Sequence, residues 1–524
     1  MLSKHLPRTR NAAMILGQQF TNQWQSNVSL QLSCFDRVIL TGYLPFWNAN
    51  YVNKWICGGL KIRHKDFFPQ MKRLSNQLVD WAEQLAAKAD APFLRIQGKC
   101  RKEKLIEKTS KERRNPEGLI AVLCTQESCR TLKMVSNPGR PRFEYAYRPQ
   151  RVLYFYLNDS QFGRMFVRIQ SWFPWRIQIY VNGHDWLAQQ LLRRGISFLQ
   201  RDNAFFSISD GAAAQRLADR FASLPWTNVL NKFARQFNPL LSHPWLQTYS
   251  YSWFIDQAEY STDVLFTDRS VLSGLYPRLL DHAVVSFRAS DIMTFLGRKL
   301  HPLYEGEVLT SCRKERVPGA RIKHRVGDNW LKMYDKFGRM LRVETVINNP
   351  KGFKRPDTVK GPDGFQVVWK PLGKAVGNFR RYQEIAHSSN LRYLDALAPV
   401  KDPEVGYQQV RPLVQSQQHA GRRYAGFNVA KQDDIDLFAA VLAGEHVLHG
   451  FRSENIRERI HGTCKDPVIR RRQAQAISRR LKRLHVRGLI AKIPRSHRWM
   501  VSAKGQRLLS KVIRLYHYGL SQVA

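Results

Sequence analysis

The chain has 524 residues and carries 84 Lys+Arg against 41 Asp+Glu, a formal net charge of +43. Its 43% hydrophobic residues are enough to build cores, which excludes a disordered chain, and its length implies several domains. A folded chain this basic repels itself unless a polyanion neutralises it, so nucleic acid is the expected partner.

No apolar run reaches the ~18 residues of a membrane span, and the N-terminus lacks the long apolar stretch of a signal peptide. No membrane partner and a cytoplasmic, nucleoid-associated location are therefore expected. The seven cysteines are scattered and odd in number, which fits a reducing compartment and mostly buried thiols.

Residues 1–240 read as a mixed α/β domain of the α+β class. SCFDRVILTGYLP (33–45) is a strand running into a turn, and Asp36 in it reads as a strand-end ion pair. QMKRLSNQLVDWAEQLAAKA (70–89) spaces its apolar residues as an amphipathic helix. Residues 98–118 form a charged helix or loop, and GLIAVLC (118–124) a short buried strand. Residues 151–195 hold three β-rich runs and then Asn182-Gly183 turning into a helix, where His184-Asp185 reads as a helix cap. A further helix covers 212–224.

Residues 241–397 read as an α+β core with an antiparallel sheet. A strand at 250–266 precedes helices at 267–283 and 288–300. Four strands in a row then follow, within GEVLTSCRKE, GARIKHRV, NWLKMYD and MLRVETVIN. Residues 348–364 are rich in Pro, Gly and Lys and read as a loop, followed by a helix near 372–390. Alternation puts Leu331 and Met333 on one strand face, and Lys332, Tyr334 and Lys336 on the other. With Leu341 and Val343 also facing the core, a hairpin about Phe337-Gly338 sets Tyr334 beside Arg342 and Glu344 on one surface. A phenol, cations and a carboxylate there suit attack on a phosphate and a covalent phosphotyrosine.

Residues 398–429 read as a linker. The tail, 430–524, orders helix, helix, helix, two strands and a helix, and residues 451–524 hold nineteen Lys/Arg against three Asp/Glu. Ile477, Leu481 and Leu484 would face a core. Arg471, Gln475, Arg479 and Lys482 would face nucleic acid, with Arg495, His497 and Arg498 on the wing. This order resembles winged-helix DNA-binding domains.

RIKHRVGDNWLKMYDKFGRMLRVE (321–344) resembles the strand, YDK, strand, RxE region of rolling-circle replication initiators of the trans-acting plasmid and transposon type. IDQAEYSTDVLF (255–266) sits where that family carries an acidic strand. The resemblance implies nicking with Mg²⁺ or Mn²⁺. It makes Tyr334 the nucleophile, with Lys336 on the phosphate. It makes Glu344, with Glu259 or Asp263, the metal ligands. Glu259 and Asp263 are four residues apart on a strand, about 13 Å, so one ion cannot take both.

The expectation that joins charge, tail and hairpin is a DNA-binding protein of a mobile element or replicon. It would be a metal-dependent nicking and strand-transfer enzyme, acting on single-stranded or duplex DNA. The alternatives are a non-enzymatic winged-helix transcriptional regulator and a protein that binds a structured RNA. For RNA, the aromatic strands VLYFYL and SWFPWRIQIY would stack bases.

Overall fold

In the computed structural model the described residues are 18–519, apart from 47, 99, 115, 136–141, 299–305, 316–318, 362–363, 401–411, 447–448, 465 and 495. The class is α+β, as expected, with a large mixed sheet. Its strands begin with β1 (Val28–Tyr43), β2 (Phe93–Arg95), β3 (Gly118–Val135), β4 (Arg142–Asp159), β5 (Gly163–Gln170) and β6 (Ile177–Asn182). A separate hairpin, β7 (Phe198–Gln200) and β8 (Phe205–Ile208), follows. The sheet continues with β9 (Ser252–Phe266), β10 (Val308–Glu315), β11 (Gly319–Val326), β12 (Asn329–Lys336) and β13 (Met340–Ile347). A second hairpin is β14 (Lys354–Gly361) with β15 (Gly364–Pro371).

The chain divides into two compact units. One is Leu30–Asp263 with Glu344–His387; the other is Met1–Ser29, Val264–Val343 and Ser388–Ala524. The sequence suggested a boundary near 240. The units instead divide inside β1, β9 and β13, because strands distant in sequence pair side by side.

In the first unit the strand order is β9-β1-β6-β5-β4-β3-β2, with the last residues of β13 beyond β9. β2 pairs parallel to β3, while β3 to β4, β4 to β5, β5 to β6 and β6 to β1 are antiparallel. The expected short strand at 118 runs on to Val135, paired along its length with β4. The helix expected at 70–89 spans His64–Lys88 and buries Phe67, Met71, Leu74, Leu78, Val79, Ala82 and Ala86. That i, i+4, i+7 stripe is the core face of an amphipathic helix. Phe67 meets Phe143 and Phe173, and Phe173 meets Phe46 and Trp55, in one aromatic cluster.

In the second unit β10, β11 and β12 pair antiparallel, and β13 follows β12. Phe337, Gly338 and Arg339 link β12 to β13, and Phe337 and Gly338 both take the left-handed backbone of a tight turn, with φ of +61° and +71°. Leu331, Met333, Leu341 and Val343 share a core with Leu272, Leu275 and Leu279 of the 269–286 helix and with Tyr393, Leu394 and Leu397. The helix expected near 372–390 spans Phe379–Leu397.

The C-terminal segment holds helices Gln432–Val441, Ser453–His461 and Pro467–Val486, a hairpin of Ile490–Lys492 with Trp499–Val501, and a helix Ala503–Gly519. Its core takes Ile477, Leu481, Leu484, Phe438, Phe451 and Leu489. It also takes Leu413 and Phe427 from the stretch read as a linker. In that stretch Gln417–His419 and Arg422–Tyr424 pair as short strands, and Arg483 lies 4.0 Å over the Phe427 ring.

Candidate metal centre

Three carboxylates come together in the first unit: Asp36 of β1, Glu259 of β9 and Glu344 of β13. One oxygen of each lies within 4.8 Å of the others, and all three residues are buried. The three strands are neighbours in the sheet, so ligands from distant parts of the chain meet across it. The donors are all hard oxygens, which suits Mg²⁺ or Mn²⁺ rather than a thiophilic metal.

Asp36 is in mid-strand, not at a strand end, and its carboxylate is held on both sides. Asn182 Nδ2 donates to Oδ1 at 2.8 Å and Asn203 Nδ2 to Oδ2 at 2.5 Å. Asn182 also caps the helix Gly183–Leu192, its Oδ1 accepting from His184 N and Asp185 N. Helix and strand approach so closely that a Cβ on Gly183 would lie 2.2 Å from the Phe35 carbonyl oxygen. The fully buried His184 sits behind the site, Nδ1 3.6 Å from Asp36 and Nε2 3.6 Å from Asp263. Burial opposes charge on that ring, but Cys34, Asp263 and Asp36 outweigh it and its pKa is raised. Gln257 donates to Glu259 at 2.6 Å.

Asp36 and Glu259 line a cavity of about 1010 Å³. Its walls carry six acids (Asp36, Glu117, Asp159, Asp185, Asp202, Glu259) but only two cations, Arg37 and Arg164. That inverts the balance of a chain with twice as many bases as acids. Burial lowers the Arg37 pKa, yet Glu259, Tyr180, Asp36 and Glu344 more than restore it, so the net shift is upward. Burial pushes Asp185 up to about 6, with Asp36 adding to the rise and His184, Gln200 and Arg164 opposing it. Burial likewise pushes the Tyr180 phenol to about 12.

Of the expected metal ligands, Glu259 and Glu344 are therefore in the cluster. Asp263 is turned to His184 instead, and Asp36 completes the set. A charged residue inside the apolar run SCFDRVIL was the available signal for Asp36. Tyr334, Lys332 and Lys336 are half-buried on the β12 face opposite the core. Tyr334 stands opposite Arg321 in the β11 register, and Lys332 lies 5.7 Å over the Trp330 ring. Arg342 and Glu344, expected on an open surface, are buried. All eight β13 residues are buried, Arg342 completely, because both faces of this strand are covered.

On the Pro467–Val486 helix, Arg471, Gln475, Arg479 and Lys482 are all exposed, opposite buried Ile477, Leu481 and Leu484. His497 is exposed, whereas Arg498 donates to the carbonyls of His449 and Gly450 and so braces the hairpin. Arg495 lies outside the described residues. Cys124 and Cys129 are buried free thiols on β3, while Cys57, Cys100 and Cys312 are exposed rather than buried. No helix among the described residues is long and apolar enough to cross a membrane. Comparison with protein-family models, curated proteins and solved structures finds no match.

Proposed function

We propose that the chain is a metal-dependent enzyme that nicks or transfers strands of nucleic acid, with Asp36, Glu259 and Glu344 holding Mg²⁺ or Mn²⁺. The observation that carries this reading is a buried three-carboxylate cluster, two members of which line an acidic cavity, in a chain of net charge +43. Basic surface gathers a polyanion, and buried carboxylates concentrate cations where the polyanion must react. A divalent ion there polarises a phosphate oxygen and neutralises charge as the phosphodiester is displaced.

The chain's own groups supply the rest. Arg37 and Arg164 are the cations placed to meet the phosphate. Asp185, on the same cavity and near 6, is suited to take a proton from the attacking hydroxyl. Asn182 and Asn203 fix the Asp36 carboxylate. The exposed basic face of the Pro467–Val486 helix supports binding to DNA in the manner of a winged helix. The nucleophile in this reading is a water or a strand-end hydroxyl.

The test is a denaturing gel of labelled single-stranded DNA, duplex DNA and RNA with Mn²⁺. Cleavage or joining that disappears in Glu344→Gln and persists in Tyr334→Phe is the expected result. An SDS-stable adduct lost in Tyr334→Phe would restore the tyrosine route. Binding without any reaction would leave a non-enzymatic regulator or RNA-binding protein.

A further inference from the structure

The β14–β15 hairpin carries large apolar side chains that are mostly exposed. Phe365, Val367 and Trp369 are 79%, 67% and 57% exposed. They alternate along β15, so they share one face of the ribbon. The register pairs Phe365 with Lys360, Val367 with Thr358 and Trp369 with Pro356, which puts Lys360, Thr358, Pro356 and Lys354 on that same face. The other face is a charge ladder, with Asp357 bonded to Lys370 at 2.7 Å and Arg355 within 3.5 Å.

The root of the ribbon is tied down. Phe353 and Leu372 are buried, and Leu372 N donates to Phe353 O at 2.9 Å. Arg381 donates to the Lys354 carbonyl at 2.8 Å and lies 5.3 Å over the Trp369 ring. An isolated two-stranded ribbon is marginal in water, and exposed apolar side chains such as Phe365 and Val367 on its open face gain little from folding.

We infer that this hairpin is an arm that binds unpaired nucleic-acid strand, with bases stacking on Phe365 and Trp369 and phosphates meeting Lys354 and Lys360. Charge selects this occupant. Residues 351–371 hold five Lys/Arg against two Asp, on a chain of +43, so an anionic partner is favoured. Flat aromatic faces between lysines match the stacking platforms of single-strand binders, which take any base because every base has a π-face. Phe365 and Trp369 are about 13 Å apart along the strand, so each takes a different base. The strand carrying Glu344 leads into the arm within ten residues, in the same unit. The inference shares the nucleic-acid partner of the proposed function but needs none of its chemistry.

The test is fluorescence anisotropy of a labelled oligothymidylate and of a blunt duplex, in EDTA so that the metal centre plays no part. Phe365→Ala, distal to the root, should weaken single-strand binding by about tenfold with the salt dependence unchanged. Trp369→Phe should bind as the unaltered protein does, and Trp369→Ala should lose as much as Phe365→Ala. Lys354→Ala with Lys360→Ala should instead flatten the salt dependence. Unaltered single-strand binding by Phe365→Ala would overturn the inference. So would an equal loss on the duplex, or a loss of self-association in place of a loss of binding.

Discussion

Glu344→Gln probes whether the carboxylate cluster is built for an ion. At 4.8 Å and an effective dielectric near 20, two carboxylates repel by about 3.5 kcal/mol. Glu344 belongs to two of the three pairs, so its charge adds about 7 kcal/mol of gross repulsion in the metal-free protein. Arg37 and the amides around the site offset much of it. Removing the charge relieves that repulsion, so the metal-free unit should be no less stable than before, even though a buried polar group has been altered. Scanning calorimetry in EDTA should show the variant's first unit melting at or above the temperature of the unaltered protein, on a scale of about 2 °C per kcal/mol for a unit this large. Mn²⁺ at a hundred times its dissociation constant should stabilise the unaltered protein by about 2.7 kcal/mol, or about 5 °C, and the variant by far less. A variant that melts lower in EDTA, together with no response of the unaltered protein to Mn²⁺, would refute the reasoning. The cluster would then be a satisfied structural network.

Gly183→Ala puts a Cβ 2.2 Å from the Phe35 carbonyl and forces β1 off the helix that braces it. Isothermal titration should show Mn²⁺ affinity falling by about ten- to a hundredfold, the cost of disturbing an outer-shell support. His324 is fully buried between Thr310 and Tyr393, and burial pushes its pKa down to about 4 from an ordinary 6.5. The unfolded ring takes a proton as pH falls through 6.5 while the folded ring does not until about 4. The stability of the second unit is therefore complete above 6.5 and drops by about 3 kcal/mol as pH falls to 4, a slope that His324→Gln should flatten in thermal melts. Arg479→Ala and Lys482→Ala, both exposed, should move the melting point little. Each should reduce the salt slope of DNA binding by about one.

What the sequence revealed was what is local. The core face of the Pro467–Val486 helix was legible because a 3.6 period needs only its own neighbours. The β10 to β13 strands were legible because short turns fix which strand comes next. The metal centre was two-thirds legible. Alternation tells which face a strand residue takes, but not which distant strand will lie beside it. Asp36 was therefore an isolated acid until β1 was seen next to β9, and Asp263 was indistinguishable from Glu259 until His184 was seen to claim it. The 354–371 arm was misread in part as a loop because Pro, Gly and Lys punctuate it. Those residues are tolerated in a ribbon with two free edges, where no neighbouring strand asks for their amides.

The order of the three ligands along the chain also has a temporal meaning. Asp36 and Glu344 are 308 residues apart. At about 5–20 residues per second, a ribosome needs roughly 15–60 s to pass from one to the other. Throughout that interval the nascent chain already holds β1, and later β9, but cannot close the site. A chain broken off before residue 344 lacks the third carboxylate altogether. Any activity that depends on this centre is thus withheld from unfinished copies, and the chain spends its own synthesis unarmed.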